Sequence, residues 1–143
     1  MGSPRESSFT RYPLWRKWFG NRSEKAVARY FRRLGFRVIA RNLDDRLGEI
    51  DLIVCDRSTL IIVEVRSSES RSLQELAATV NRQKQKRLTL AASRFLYRKR
   101  KLVGQRTIRF DVVAIRWAPE QHQPEIGHFP NAFEAVGDYQ MHF

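Results

Sequence analysis

Cysteine occurs once in this 143-residue chain, at Cys55, so neither an intrachain disulfide framework nor a cysteine metal cluster can be built. Cys55 lies in a Val-rich run and reads as a small buried hydrophobe. No apolar run approaches the roughly 18 residues that a membrane-spanning helix needs. The opening stretch MGSPRESSFTRYPLWRKWFG has basic side chains but no sustained apolar core or small-residue cleavage site, so no signal peptide is expected. There is also no internal repeat, long linker, zinc-finger spacing or RNA-binding aromatic signature. Acid is scarce: 15 Asp and Glu face 27 Lys and Arg, a formal charge of +12 with a pI near 10.8. The expectation is a soluble, cytoplasmic protein in a reducing compartment, with one domain long enough for a real core. Its charge favours a polyanionic partner, nucleic acid or, in competition, a membrane surface.

Periodicity supplies a coarse order of elements. Residues 1–19 read as an N-terminal arm, with Tyr12, Leu14, Trp15, Trp18 and Phe19 able to lie over the domain or a partner. Asn21 and Glu24 have capping-box spacing, predicting a helix from there to about Leu34 with Val27, Tyr30, Phe31 and Leu34 on its apolar face. Gly35 is its expected stop. A strand is predicted over 36–40, a polar turn over 42–48, and two strands over 49–55 and 60–66. The short connector Asp56-Arg57-Ser58-Thr59 makes the last two an antiparallel hairpin. One helix is predicted over about 73–97, striped by Leu73, Ala77, Val80, Leu88, Ala91 and Phe95 and widened by Leu76, Ala92 and Leu96. A strand follows over 108–115, then a proline-containing loop, and residues 126–136 add an edge strand and a final turn or helix. Residues 137–143 form a tail. The order suits an α/β fold, one mixed sheet flanked by helices.

The segment GEIDLIVCDRSTLIIVEVR places charge among β-forming apolar residues. Strand side chains alternate faces, so Glu64 and Arg66 point the same way at the end of Leu60–Val63. A hairpin of suitable register brings Asp51 beside Glu64. Two carboxylates with water suit a hard cation such as Mg²⁺, which polarises phosphoryl oxygen and lowers the pKa of water. The alternative is a cross-strand salt network near solvent. Glu24 either faces inward to this pair or caps its own helix. Lys84 stands in the helix stripe where an apolar residue is expected. Its ammonium either reaches a carboxylate or phosphate or snorkels to water.

Several motifs together resemble the UPF0102 (YraN) family of small bacterial proteins. They are Gly20-Asn21-Arg22-Ser23-Glu24-Lys25-Ala26, Gly35-Phe36, Arg41-Asn42, Gly48-Glu49-Ile50-Asp51-Leu52-Ile53, Val63-Glu64-Val65-Arg66, Lys84, Arg109-Phe110-Asp111-Val112-Val113 and Asn131-Ala132-Phe133. The resemblance covers about residues 20–136. It implies a restriction-endonuclease-like or Holliday-junction-resolvase-like domain: a mixed β-sheet flanked by helices, with an acid on one strand and acid-x-basic on the next. It makes Asp51 and Glu64 metal ligands with Glu24 as the additional acid, Mg²⁺ or Mn²⁺ as cofactor, and Lys84 as a positive contributor. Arg66 stands where active nucleases of this class usually carry lysine. Arginine is effectively always protonated, so it suits charge stabilisation rather than base catalysis. Ser67-Ser68-Glu69 departs from the more basic continuation common in relatives.

From Leu76 to Phe110 there are eleven Lys or Arg residues and no acid. Arg82, Lys86, Arg87, Arg94, Arg98, Lys99, Arg100 and Lys101 are the expected phosphate-backbone contacts, beside Lys84, Arg106 and Arg109. The reading favoured is a metal-dependent endonuclease hydrolysing DNA phosphodiesters, with branched or structured DNA implied by the resemblance and no membrane partner. Two others compete: a non-catalytic nucleic-acid-binding protein on a nuclease-like fold, and an interaction protein whose charges form a structural network. A homodimer is compatible with the sequence, which does not show one.

Overall fold

A computed structural model describes residues 14–46 and 48–136, with side chains from Asn21 onward. The first thirteen residues of the expected arm, and the expected tail 137–143, lie outside the described residues. The chain runs through helix α1 (Leu14–Arg33), strands β1 (Arg37–Asp45), β2 (Gly48–Cys55) and β3 (Thr59–Ser68), then helices α2 (Leu73–Ala78), α3 (Arg82–Arg98) and α4 (Arg100–Val103). Strands β4 (Thr107–Arg116) and β5 (Glu125–Phe133) close it. The five strands form one sheet in the order β1-β2-β3-β4-β5. Only β3 and β4 pair in parallel, and the helical segment 73–103 is the crossover between them. This is the mixed, helix-flanked α/β sheet expected.

Alternation along β2 and β3 builds a core on each face. Leu52, Val54, Ile61 and Val63 pack with Val27, Ala28 and Phe31 of α1, and Val113 of β4 joins them. Ile53, Cys55, Leu60 and Ile62 pack with Leu88, Ala91, Ala92, Phe95 and Leu96 of α3. Cys55 is indeed a buried hydrophobe.

The elements differ from expectation in four places. Helix α1 begins at Leu14, so Asn21 is interior and the proposed Asn21–Glu24 cap does not form. No proline stands between Leu14 and Arg33, and an interior Gly20 costs only about 1 kcal/mol. Leu34 ends up 52 % exposed, and Ala28 takes the core position instead. The polar segment 41–45 continues β1 rather than turning, because an outer strand needs only one buried side. A register shift between Val38 and Ala40 lets Ile39, Ala40 and Leu43 all reach the α3 core. The predicted 73–97 helix is two. Ser72 accepts from Glu75 N–H and starts α2; Asn81 accepts from Lys84 N–H and starts α3. The final segment is a full strand, β5, rather than a short strand and helix.

Candidate active site

The β2–β3 ladder runs from Cys55↔Leu60 to Leu52↔Val63 and stops before Asp51 and Glu64, the next residues in that register. Asp51 Oδ2 instead accepts from Val65 N–H at 2.9 Å, so the carboxylate replaces a ladder carbonyl and is fixed by backbone. Both acids continue the α3-facing rows of their strands. The hairpin therefore pairs Asp51 with Glu64 as the sequence spacing anticipates.

Asn81 sets where α3 begins and hence where Lys84 points. From the first turn, Lys84 Nζ reaches within 3.6 Å of Glu64 Oε1, and Arg66 Nε lies 3.8 Å from the same oxygen. Lys84 reaches a carboxylate rather than snorkelling away. These distances give charge attraction without good hydrogen bonds. Glu64 Oε2, Arg66 Nε and Glu24 Oε2 are all buried without a hydrogen-bond partner. Buried polar groups in native structures are rarely left without a partner, so these three atoms single out this place as the candidate site.

Glu24 arrives from α1 with 7 % of its surface exposed. Burial, and then the Asp51 charge, push its pKa up to about 7, while a hydrogen bond with Asn42 pulls down. Glu64 is pushed up to about 8, first by burial and then by Asp51, against the pull of Lys84 and Arg66. Burial also raises Asp51, opposed by the Val65 N–H, Lys84 and a hydrogen bond from the Glu64 carboxyl. Burial and mutual repulsion thus disfavour two negative charges on Asp51 and Glu64, a repulsion that a bound cation would offset.

The donor set fits a hard divalent ion held with water. Among the described residues no three His, Cys, Asp or Glu side chains are gathered closely enough to enclose a metal. The Asp51–Glu64 pair, with Glu24 beyond it, leaves several positions to water, as Mg²⁺ prefers. The orphaned oxygens of Glu64 and Glu24 are available acceptors.

A groove of about 800 Å³ is lined by Arg66, the segment Ser67–Arg71, Leu76 of α2, Thr79 just after that helix, and Trp117. Trp117 Nε1–H donates to Ser23 Oγ at 2.8 Å, and Arg22 lies 3.8 Å above the indole ring. Arg66 and Trp117 both line this groove.

The predicted cationic surface is divided. Arg82 and Lys86 share the first turns of α3 with Lys84 but are exposed on other sides of the helix, and Arg98, Lys99, Arg100 and Lys101 lie at its opposite end, about 20 Å away. Between them Arg87 packs beside Gly48 and Arg94 pairs with Asp45 at 3.2 Å. Arg106 bonds to the carbonyls of Asp56 and Leu102, a structural role. Arg109 serves another.

Arg109 belongs to a cluster around Asp111 rather than to a phosphate-contacting surface. Asp111, fully buried in β4, accepts from Arg109 Nε and Nη2 at 2.9 and 3.0 Å, from His128 Nε2 at 2.6 Å and from Asn131 N–H at 2.9 Å. Tyr30 OH joins His128 Nδ1 at 2.9 Å. Burial alone would raise the Asp111 pKa, but its bonds to His128, Arg109 and Asn131 hold it below the usual range. The warning signal was an acid in mid-strand followed by a histidine in the next.

The profile of the uncharacterised protein family UPF0102 matches residues 23–115. A UPF0102 protein of Rhodopirellula baltica is 43% identical over 121 residues, 82% of this chain and 71% of that one. A UPF0102 protein of Pelotomaculum thermopropionicum is 37% identical over 118 residues, 82% of this chain and 97% of its own length. One from Pseudomonas aeruginosa is 33% identical over 116 residues, 81% and 92% of the two chains. The matched region contains Glu24, Asp51, Glu64, Arg66 and Lys84 together with the strands that position them, and the chain belongs to the UPF0102 family.

Proposed function

We propose that the chain is a metal-dependent endonuclease that hydrolyses DNA phosphodiester bonds, with branched or structured DNA as substrate. The observation supporting this most directly is the set of unsatisfied carboxylate oxygens beside two cationic side chains where β2 and β3 part. A closed structural salt network would leave no such atoms. Asp51 and Glu64 would hold Mg²⁺ or Mn²⁺, with Glu24 contributing directly or through water. The ion, when bound, supplies Lewis-acid polarisation of a phosphoryl oxygen and a more acidic water.

The chain's own residues supply the rest. Val65 N–H keeps the Asp51 carboxylate aimed into the gap between strands. Lys84 offsets the charge of the acids and lowers the barrier to a phosphate approaching them. Arg66, permanently charged, offers N–H donors to the phosphoryl oxygens as negative charge builds in the transition state. The groove beyond Arg66 carries the strand away from the reacting bond.

Binding without turnover is the second reading, favoured specifically by Arg66 in the usual lysine position, which deprives the site of a side chain able to act as base. One assay separates the two. Purified protein is incubated with linear, flapped and four-way-junction DNA in Mg²⁺ or Mn²⁺, with Asp51→Ala in parallel. Hydrolysis expects metal-dependent products that Asp51→Ala abolishes. Binding across all substrates with no cleavage, unaltered in Asp51→Ala, supports the second reading. No nucleic-acid affinity at low salt rejects both.

A further inference from the structure

We propose that the end of the molecule remote from the carboxylates is a second nucleic-acid surface, holding a separate duplex arm by its phosphates. This rests on the nucleic-acid reading above and extends it from one contact region to two. Topology dictates the arrangement. The end of β2 and the starts of β1, β3 and β4 lie at one edge of the sheet, since Arg37 pairs with Cys55, Cys55 with Leu60, and Thr59 with Thr107. Helices α1 and α3 also finish there. Arg32 and Arg33 from α1, Arg57 from the β2–β3 turn, and Arg98, Lys99 and Lys101 therefore collect at this end. All six are exposed and make no ion pair among the described residues.

The acids nearby offset little of this charge. Asp56 is occupied by its own turn, accepting from the N–H groups of Ser58 and Thr59, and Glu134 stands alone beyond β5. Tyr97, 71 % exposed, projects among these cations with the Arg100 guanidinium 5.1 Å from its ring centroid. A tyrosine hydroxyl exposed beside cations can donate to a phosphate oxygen, a sequence-independent backbone contact suited to a duplex. A membrane surface would instead call for one broad apolar face; here the cations come from several chain ends arranged around a rim.

Two surfaces, rather than one continuous track, follow from the β1–β2 hairpin. Its Asp45–Gly48 end lies against the middle of α3, where Asp45 pairs with Arg94 and a Cβ at Gly48 would sit 3.5 Å from Arg87 Cβ. This acidic hairpin interrupts the cations along the helix. A straight duplex laid from Lys84 to Arg98 would meet it, so the two ends engage different segments. Phosphate contacts of this kind are independent of sequence.

The test uses the full wild-type chain in EDTA, so that cleavage cannot intrude, titrated with a short labelled duplex at low salt and analysed for stoichiometry. Two duplexes per chain are expected. A triple variant, Arg98→Ser with Lys99→Ser and Lys101→Ser, should bind one, with the log–log salt slope reduced by about three. A separate Arg82→Ser/Lys86→Ser variant should also bind one but keep the remote site, and melting curves check that both variants fold. One duplex per wild-type chain, or unchanged stoichiometry in the triple variant, overturns the proposal. So does loss of binding to phosphatidylserine vesicles in the triple variant while duplex binding is retained. Failure of wild-type protein to cleave DNA would reject the hydrolytic reading and leave this stoichiometry standing. Failure here would leave cleavage of a short linear duplex untouched.

Discussion

Asp51 and Asp111 lie on the two strands flanking β3, and the fold treats them in opposite ways. Asp111 is bonded on both oxygens by Arg109, His128 and the Asn131 amide, and its pKa is held low. Asp51 has one backbone donor and a second acid beside it, Glu64, from which Lys84 and Arg66 stand 3.6 and 3.8 Å away. One centre is fully hydrogen-bonded as folded; the other has buried polar atoms on Glu24, Glu64 and Arg66 without hydrogen-bond partners. Completion stabilises, whereas incompleteness retains binding capacity at some expense in stability.

The sharpest way to break this contrast is to neutralise each acid. Asp51→Asn can still accept from Val65 N–H, so the melting temperature should hold or rise while metal-dependent cleavage falls on the order of 1,000-fold. A large fall in melting temperature would show that Asp51 is structural. Asp111→Ala should do the reverse, leaving Arg109 and His128 without their shared buried partner. A loss of about 3–5 kcal/mol in urea denaturation is expected.

Titration sharpens the contrast because the two centres have opposite signs. Glu24 and Glu64 hold protons more tightly folded than unfolded. Their stabilising contribution is complete below about pH 4.5 and is lost as pH rises through about 7 and 8. Asp111 contributes above its unfolded value near 3.8 and is lost as pH falls through its lower folded value. Urea midpoints followed across pH in EDTA should therefore decline on both sides. Glu64→Gln should flatten the alkaline limb, and Asp111→Asn the acid limb; limbs that respond to the wrong variant would refute the assignment. The smallest effect is expected for Arg66→Lys, which keeps the charge but loses the planar fork. Cleavage should fall on the order of tenfold, about 1.4 kcal/mol, with the melting temperature unaltered.

Why one centre could be read in the sequence and the other could not follows from pattern. Asp51, Glu64 and Lys84 each interrupt an apolar period, and the hairpin linking the first two is short. Their convergence is therefore nearly a local property. Asp111 also interrupts a strand, but its partners His128 and Asn131 come from β5, whose period is obscure, and Arg109 resembled one more cation in a basic run. The Thr79–Asn81 break was hidden by an apolar stripe that continues through Val80 on both sides of it. Glu24 was legible as an inward acid but not in its helical position, because α1 extends past Gly20. Fold class needed only the order of periods, whereas helix ends depended on individual caps at Ser72 and Asn81.

The parallel pairing of β3 with β4 also governs how the chain acquires its shape. Ile62 finds its neighbours on β2 within a short hairpin, but must wait for Phe110 on the other side. Until β4 emerges during synthesis, Leu60-Ile61-Ile62-Val63 is an unpaired apolar edge, open to the same strand in another nascent chain. The catalytic candidates are all made before residue 85, yet the strand carrying Glu64 is secured only after residue 107. Truncation before β4 should therefore yield aggregates rather than a minimal nuclease, and a slow folding phase should track the β3–β4 closure.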